Sequence, residues 1–164
     1  MKPSTYLVVS SLPGRLYIMP KPSGEWLQED AKHYCDLGII TIVSMLEREE
    51  ETELNLENER KICEQNNMEF VQLSVIDRGL PAIQPFKDLI KLIVSRVKSG
   101  GTVAVHCRAG IGRSGMTVCC SLLHFGYSSA SAIEHVSNAR GVLVPDTDEQ
   151  IDFIHQFELN MKKA

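Results

Sequence analysis

Residues 103–115 read V-A-V-H-C-R-A-G-I-G-R-S-G and carry the most specific chemistry in the chain. A thiol at Cys107 is followed, across five residues that include Gly110 and Gly112, by a guanidinium at Arg113 and a hydroxyl at Ser114. Glycines at those positions let a loop curl until successive backbone N–H groups converge into an anion-binding nest. A helix opening near Arg113 adds its unpaired N–H groups and the positive end of its dipole. Arg113 can complete the cradle with a two-pronged fork onto a tetrahedral oxyanion. Such a positive surround should bring the Cys107 pKa from about 8.5 into the range of roughly 4–7. A thiolate held beneath a bound phosphate is an attacking nucleophile. His106 before the thiol, Gly110 three residues after it and Ser114 after the arginine make coincidence a poor explanation.

A cradle of this kind needs a strand to deliver the thiol and a helix to receive the arginine. Residues 102–105 are an apolar, β-branched run ending at His106-Cys107, and residues 114–125 read as an apolar helix. Further strands are expected over 6–9, 15–19, 39–45 and 69–75. Helices are expected over 25–37, 54–66, 83–97, 128–139 and 146–161, with Gly38 as a C-cap and Ser128 as an N-cap. In the 128–139 helix the apolar stripe is Ala130, Ile133 and Val136, and the last helix should bury Ile151, Ile154, Phe157 and Met161. Strands alternating with helices imply an α/β fold: a central, mostly parallel twisted sheet of about four to five strands, flanked by helices on both faces. Ligands of open sheets bind outside the carboxyl ends of the strands, which is where Cys107 falls.

The run His106-Cys107-Arg108-Ala109-Gly110-Ile111-Gly112-Arg113-Ser114-Gly115 resembles the signature loop of the cysteine-dependent protein tyrosine phosphatases. Chain length resembles the small, dual-specificity-type members, and the likeness extends more weakly from about Gly14 onward. It implies one phosphatase domain over 1–164, with the signature loop at 106–114 and a general-acid loop at 76–82. By the same resemblance Cys107 forms a phosphocysteine intermediate, and Arg108, Ala109, Gly110, Ile111, Gly112 and Arg113 line the phosphate site. His106 would brace the loop and tune the thiolate.

A departing alkoxide or phenoxide needs a proton, and a carboxylic acid at the pocket rim is the usual donor. Asp77 is the candidate, because its Asp-x-x-x-Pro setting resembles the general-acid loop of small members, although the Trp-Pro of larger relatives is missing. Ser114 can hydrogen-bond the leaving thiolate as well as cap a helix. The segment from Arg140 through Val144-Pro145 to Gln150 resembles the place where larger members carry a water-positioning glutamine, so Gln150 is the candidate for that role. Arg78 is expected to face solvent, and Asp146 and Asp148 to sit without catalytic duty in the first turn of the last helix.

With 164 residues, 43% hydrophobic content and a net charge of −4, the chain is long enough for one self-supporting core and too acidic for a general nucleic-acid or membrane-surface binder. Membrane insertion is not expected, and residues 1–15 lack the apolar core of a signal peptide. The protein is expected to be cytoplasmic, as its odd count of unpaired cysteines also suggests, and a monomer. No cofactor and no metal are expected. Cys35, Cys63, Cys119 and Cys120 form no pair with zinc-like spacing and read as reduced, core-filling thiols, any of which could trap an oxidised Cys107. The acidic stretch 47–59 reads as a solvated loop and first helical turn, the sharper alternative being a docking surface for a basic partner.

Four readings compete. A phosphoprotein phosphatase acting on phosphotyrosine, with phosphoserine and phosphothreonine open, fits the signature loop best. A phosphoinositide or inositol phosphate phosphatase would use the same Cys-Arg-Asp set but tends to place lysines in the loop, where this chain has Arg108 and Ile111. A non-catalytic phosphate-binding module would lack the thiol, the arginine or the acid, and all three are present. Sulfur transfer or arsenate reduction on a Cys-x5-Arg loop fits the Ala109–Gly112 interior poorly.

Overall fold

The computed structural model describes residues 2–163. Five strands, β1 (Tyr6–Val9), β2 (Arg15–Met19), β3 (Ile39–Ser44), β4 (Glu69–Gln72) and β5 (Thr102–His106), form one sheet in the order β1-β2-β5-β3-β4. β5 runs parallel to β2 and β3, and β4 runs parallel to β3. Only β1, at the edge, is antiparallel. This is the expected mostly parallel sheet. Register decides where the chain leaves it: both Met19 of β2 and Ser44 of β3 stand opposite His106. Three adjacent strands therefore finish level, and Cys107 emerges between their carboxyl ends.

Alternation along the strands builds two cores, one on each face. Leu16, Ile18, Val43, Val103 and Val105 face one cluster, whereas Tyr17, Met19, Ile42 and Ala104 face the other. The first face is covered by α4 (Ile83–Lys98), α5 (Arg113–Leu123), α6 (Ser129–Arg140) and α7 (Asp148–Lys162), and the second by α1 (Leu27–Asp36) and α3 (Glu59–Gln65). Phe86 of α4 meets Phe153 and Phe157 of α7 edge-on, with centroids 5.2 and 5.5 Å apart. Every residue of α5 is buried. Its Thr117 and Ser121 hydroxyls donate to the Arg113 and Thr117 carbonyls one turn back, so both buried hydroxyls are satisfied within the helix.

Several expectations shift. Residues 47–59 are not merely a solvated loop: Arg48–Glu53 forms a helix, α2, with a capping box from Glu47 to Glu50. The helix expected over 54–66 begins only at Glu59, because Leu54–Asn58 turns through Asn55 at a φ of 57°. α1 starts after Trp26, which is exposed rather than core. In α6, Ala132 replaces Ala130 on the buried stripe, while Ser128 caps the helix as expected and Gly141 ends it at a φ of 86°. Asp146 precedes α7, whose N-cap is Thr147. Cys63, Cys119 and Cys120 are buried, but Cys35 is exposed, and all are free thiols. Among the described residues, no helix is long and apolar enough to cross a membrane.

Candidate active site

Between Cys107 and Arg113 the chain folds against the end of β2. Gly110 has a φ of 73°, and a Cβ there would lie 2.5–2.6 Å from the Met19 carbonyl group and the Pro20 nitrogen, so only glycine fits. Gly112 is different. Its φ of −81° is ordinary; a Cβ there would crowd the Gln150 amide at 3.0–3.2 Å. From outside, Arg140 of α6 donates Nε to the Gly110 carbonyl and Nη2 to the Ala109 carbonyl, each at 3.0 Å, while its guanidinium stacks on Tyr6 at 4.2 Å. Carbonyls held outward turn the N–H groups of the same peptides inward, which makes a nest for an anion. The Ile111 N–H, partner of the Gly110 carbonyl, reaches Cys107.

Cys107 is almost completely buried, with Sγ 3.1 Å from the Ser114 hydroxyl. Burial alone would oppose a thiolate. Hydrogen bonds from the Ser114 side chain and backbone, the Arg113 charge and the Ile111 N–H outweigh it, and the thiol is held below its ordinary range.

Arg113, 1% exposed, is fixed from behind. Its Nη1 donates to Glu50 Oε1 at 2.6 Å and to the Val75 carbonyl at 2.9 Å, and its Nη2 donates to Glu50 Oε2 at 3.0 Å and Asp77 Oδ1 at 3.2 Å. Nε is the one guanidinium nitrogen without a partner among the described residues. A buried, charged donor left open beside a nest of amides suits an oxyanion. Burial pushes the Glu50 carboxyl up, yet the hydrogen bonds and charge of Arg113 hold it below the usual carboxylate range. Asp77 stands at the mouth, its side chain 55% exposed.

His106 lies behind the thiol. Its Nδ1 is 3.1 Å from the Cys107 carbonyl oxygen and its Nε2 2.7 Å from Glu59 Oε2, both partners being buried. Burial disfavours the imidazolium, but the Glu59 carboxylate more than compensates and raises the His106 pKa.

The structure brings His106, Cys107, Arg113, Ser114 and Asp77 together as the sequence suggests. Arg108 points to the rim, with Nη2 3.4 Å from Glu53 and Nη1 3.9 Å from Glu50. Gln150 is buried against the loop, but its amide is engaged: Oε1 accepts the Asp146 and Thr147 N–H groups, and Nε2 donates to the Gly79 carbonyl. Arg78 does not simply face solvent, since it pairs with Asp146 at 2.9 Å. Glu50 and Glu59 were hidden within a run of seven glutamates that all looked alike; the capping box at Glu47 and Glu50 was the only local signal of a helix there.

A family description reading "Swiss Army Knife protein, DSP-PTPase phosphatase domain" matches residues 7–158. "Cyclin-dependent kinase inhibitor 3" of Rattus norvegicus is 24% identical over 156 residues, covering 94% of this chain and 72% of that protein. Kinase associated phosphatase, solved with its catalytic-site cysteine replaced by serine, superposes with a TM-score of 0.88 at 20% identity, covering 100% of this chain and 98% of the other. PTPMT1 in complex with PI(5)P superposes with a TM-score of 0.77 at 21% identity, covering 90% and 92%. Because the match runs from the first strand into the last helix, over a chain folded as these phosphatases are, the protein belongs to the DSP-PTPase family and is a cysteine-based protein phosphatase.

Proposed function

We propose that the protein hydrolyses phosphotyrosine in protein substrates, and phosphoserine or phosphothreonine where these reach the same pocket, through a phosphocysteine intermediate. The observation that carries this reading is the Cys107 Sγ–Ser114 Oγ pair at 3.1 Å, set beside the open Arg113 Nε. In the first step the Cys107 thiolate forms an S–P bond as the P–O bond to the substrate breaks. Asp77 gives its proton to the departing oxygen, and the amides of 108–113 with Arg113 hold the phosphoryl oxygens. In the second step a water attacks phosphorus, Asp77 takes the water's proton, and the S–P bond breaks to return the thiolate, which Ser114 stabilises by donating to sulfur. Gln150, its amide engaged by Asp146, Thr147 and Gly79, supports the wall of the site. His106 holds the Cys107 carbonyl and so the base of the loop. Neither step needs a metal or cofactor, and we take the enzyme to act as a cytoplasmic monomer.

The likeness to PTPMT1 with PI(5)P keeps one other substrate in view, a phosphoinositide. Against it, the extra cation of the loop, Arg108, is already turned toward Glu53 and Glu50, and the acidic α2 would repel the additional phosphates of an inositol headgroup. Turnover of phosphotyrosine peptides, phosphoserine and phosphothreonine peptides, and phosphoinositides tests the choice. Phosphotyrosine peptides should be the best substrates; a preference for phosphoinositides would overturn it. Substrate trapping with Asp77→Ala then identifies the protein that stays bound.

A further inference from the structure

We propose that Arg78 and Asp146 form a latch that holds the Asp77 loop over the phosphate site, so that delivery of the Asp77 proton depends on a pair of residues outside the reacting groups. The inference rests on the assignment of Asp77 as the acid.

The geometry begins with a tight turn. The Gly79 N–H donates to the Ile76 carbonyl at 2.8 Å, which places Asp77 and Arg78 at its two central positions. Arg78 has a φ of 64°, the conformation a turn of this kind normally reserves for glycine. A side chain there costs roughly 1–2 kcal/mol of backbone strain. What the arginine adds is an anchor: its Nη1 donates to Asp146 Oδ2 at 2.9 Å, in the connection between α6 and α7. One residue further along the turn, the Gly79 carbonyl accepts from Gln150 Nε2 at 3.2 Å, and the same Gln150 amide accepts the Asp146 N–H at 3.0 Å. Asp77, Arg78 and Gly79 are therefore each tied to a different group: Asp77 to Arg113, Arg78 to Asp146 and Gly79 to Gln150.

The far side of the latch does not move freely. A Cβ on Gly112 would lie 3.1 Å from the Asp146 Cβ, and one on Gly115 would lie 2.3 Å from a Val144 methyl, so the α6–α7 connection is packed directly on the phosphate loop and the start of α5. Pairing with Asp146 thus references the acid loop to the same body that holds the phosphate. Asp77, with its side chain half exposed and a single bond from Arg113 Nη2 to hold it, would otherwise sample many positions. Arg78 and Asp146 are positioning residues; neither touches the reacting atoms.

Because side chains of the pair are 64% and 39% exposed, the expected effect is modest. The test compares two aryl phosphates, phenyl phosphate, whose poor leaving group needs the proton, and 4-nitrophenyl phosphate, whose good one needs it little. Arg78→Gly and Asp146→Asn should each lower kcat/KM, which reports formation of the phosphoenzyme and departure of the leaving group, on phenyl phosphate about three- to fivefold and on 4-nitrophenyl phosphate less than twofold. Combining them should cost no more than either alone, and the charge-swapped pair Arg78→Asp with Asp146→Arg should recover most of the loss. Arg78→Gly also relieves the strained φ, so its thermal stability should match or exceed the parent's while its turnover falls. Equal losses on both substrates, additive losses, or no loss would overturn the latch. Asp77→Asn, run alongside, separates the two failures: if it too shows no leaving-group dependence, the acid assignment falls and the latch with it.

Discussion

Glu50 and Arg113 form a two-pronged, largely buried ion pair, Oε1 to Nη1 at 2.6 Å and Oε2 to Nη2 at 3.0 Å, that joins α2 to the first residue of α5. The pair leaves Arg113 Nε as its free donor and removes most of the guanidinium's rotational freedom before substrate arrives. Breaking it leaves an uncompensated buried charge, so Glu50→Ala should destabilise the fold by about 3 kcal/mol in urea unfolding. The pH dependence has a definite sign. Glu50 has a folded pKa below its unfolded value of about 4.3, so its contribution is complete above that value and is lost as pH falls through the folded one. The stability gap between the parent and Glu50→Gln should therefore be flat above about pH 5 and close on acidification.

His106 and Glu59 should show the opposite window. The folded His106 pKa is raised, chiefly against burial by the Glu59 carboxylate. Its contribution is complete below the unfolded value of about 6.5 and is lost as pH rises through the folded value. The gap between the parent and Glu59→Gln should be widest near pH 6 and narrow in alkali, as urea titrations at a series of pH values would show.

Neither glutamate stood out in the sequence, for a physical reason. Glu50 meets Arg113 across 63 residues and Glu59 meets His106 across 47, and a carboxylate paired through tertiary structure has no local pattern to mark it. By contrast the β5–loop–α5 unit was legible because everything that shapes it is adjacent: the β-branched run, Gly110 at positive φ, and the basic residue opening the helix. β1 and β2 were legible as well, since each is bounded by a Pro-Gly or Pro-rich turn. The Arg78–Asp146 pair was not, because nothing in an Asp-Arg-Gly turn says which distant residue its side chain will meet.

Arg113→Lys keeps the charge but loses the fork. A point charge cannot hold both Glu50 oxygens and a phosphoryl oxygen together, so kcat/KM on 4-nitrophenyl phosphate should fall by about 10²–10³-fold. A loss of less than threefold would show that the charge alone suffices.

Ser114→Ala removes the hydroxyl that stabilises the departing thiolate. A hydrogen bond to a charged group contributes about 1.5–3 kcal/mol, so breakdown of the phosphoenzyme should slow by roughly tenfold or more. Rapid-quench kinetics should then show a burst of 4-nitrophenol followed by slow turnover, the signature of a covalent intermediate that accumulates.

The account rests on Cys107 being a thiolate at neutral pH, and the rate of iodoacetate alkylation as a function of pH tests this most directly. The exposed Cys35 is replaced by serine so that it does not contribute, while Cys63 and Cys119, their thiols pushed up to about 12 by burial, stay silent. The account predicts a labelling midpoint well below the free-cysteine value of about 8.5, with labelling suppressed by inorganic phosphate. A midpoint at the free-cysteine value, unaffected by phosphate, would contradict it.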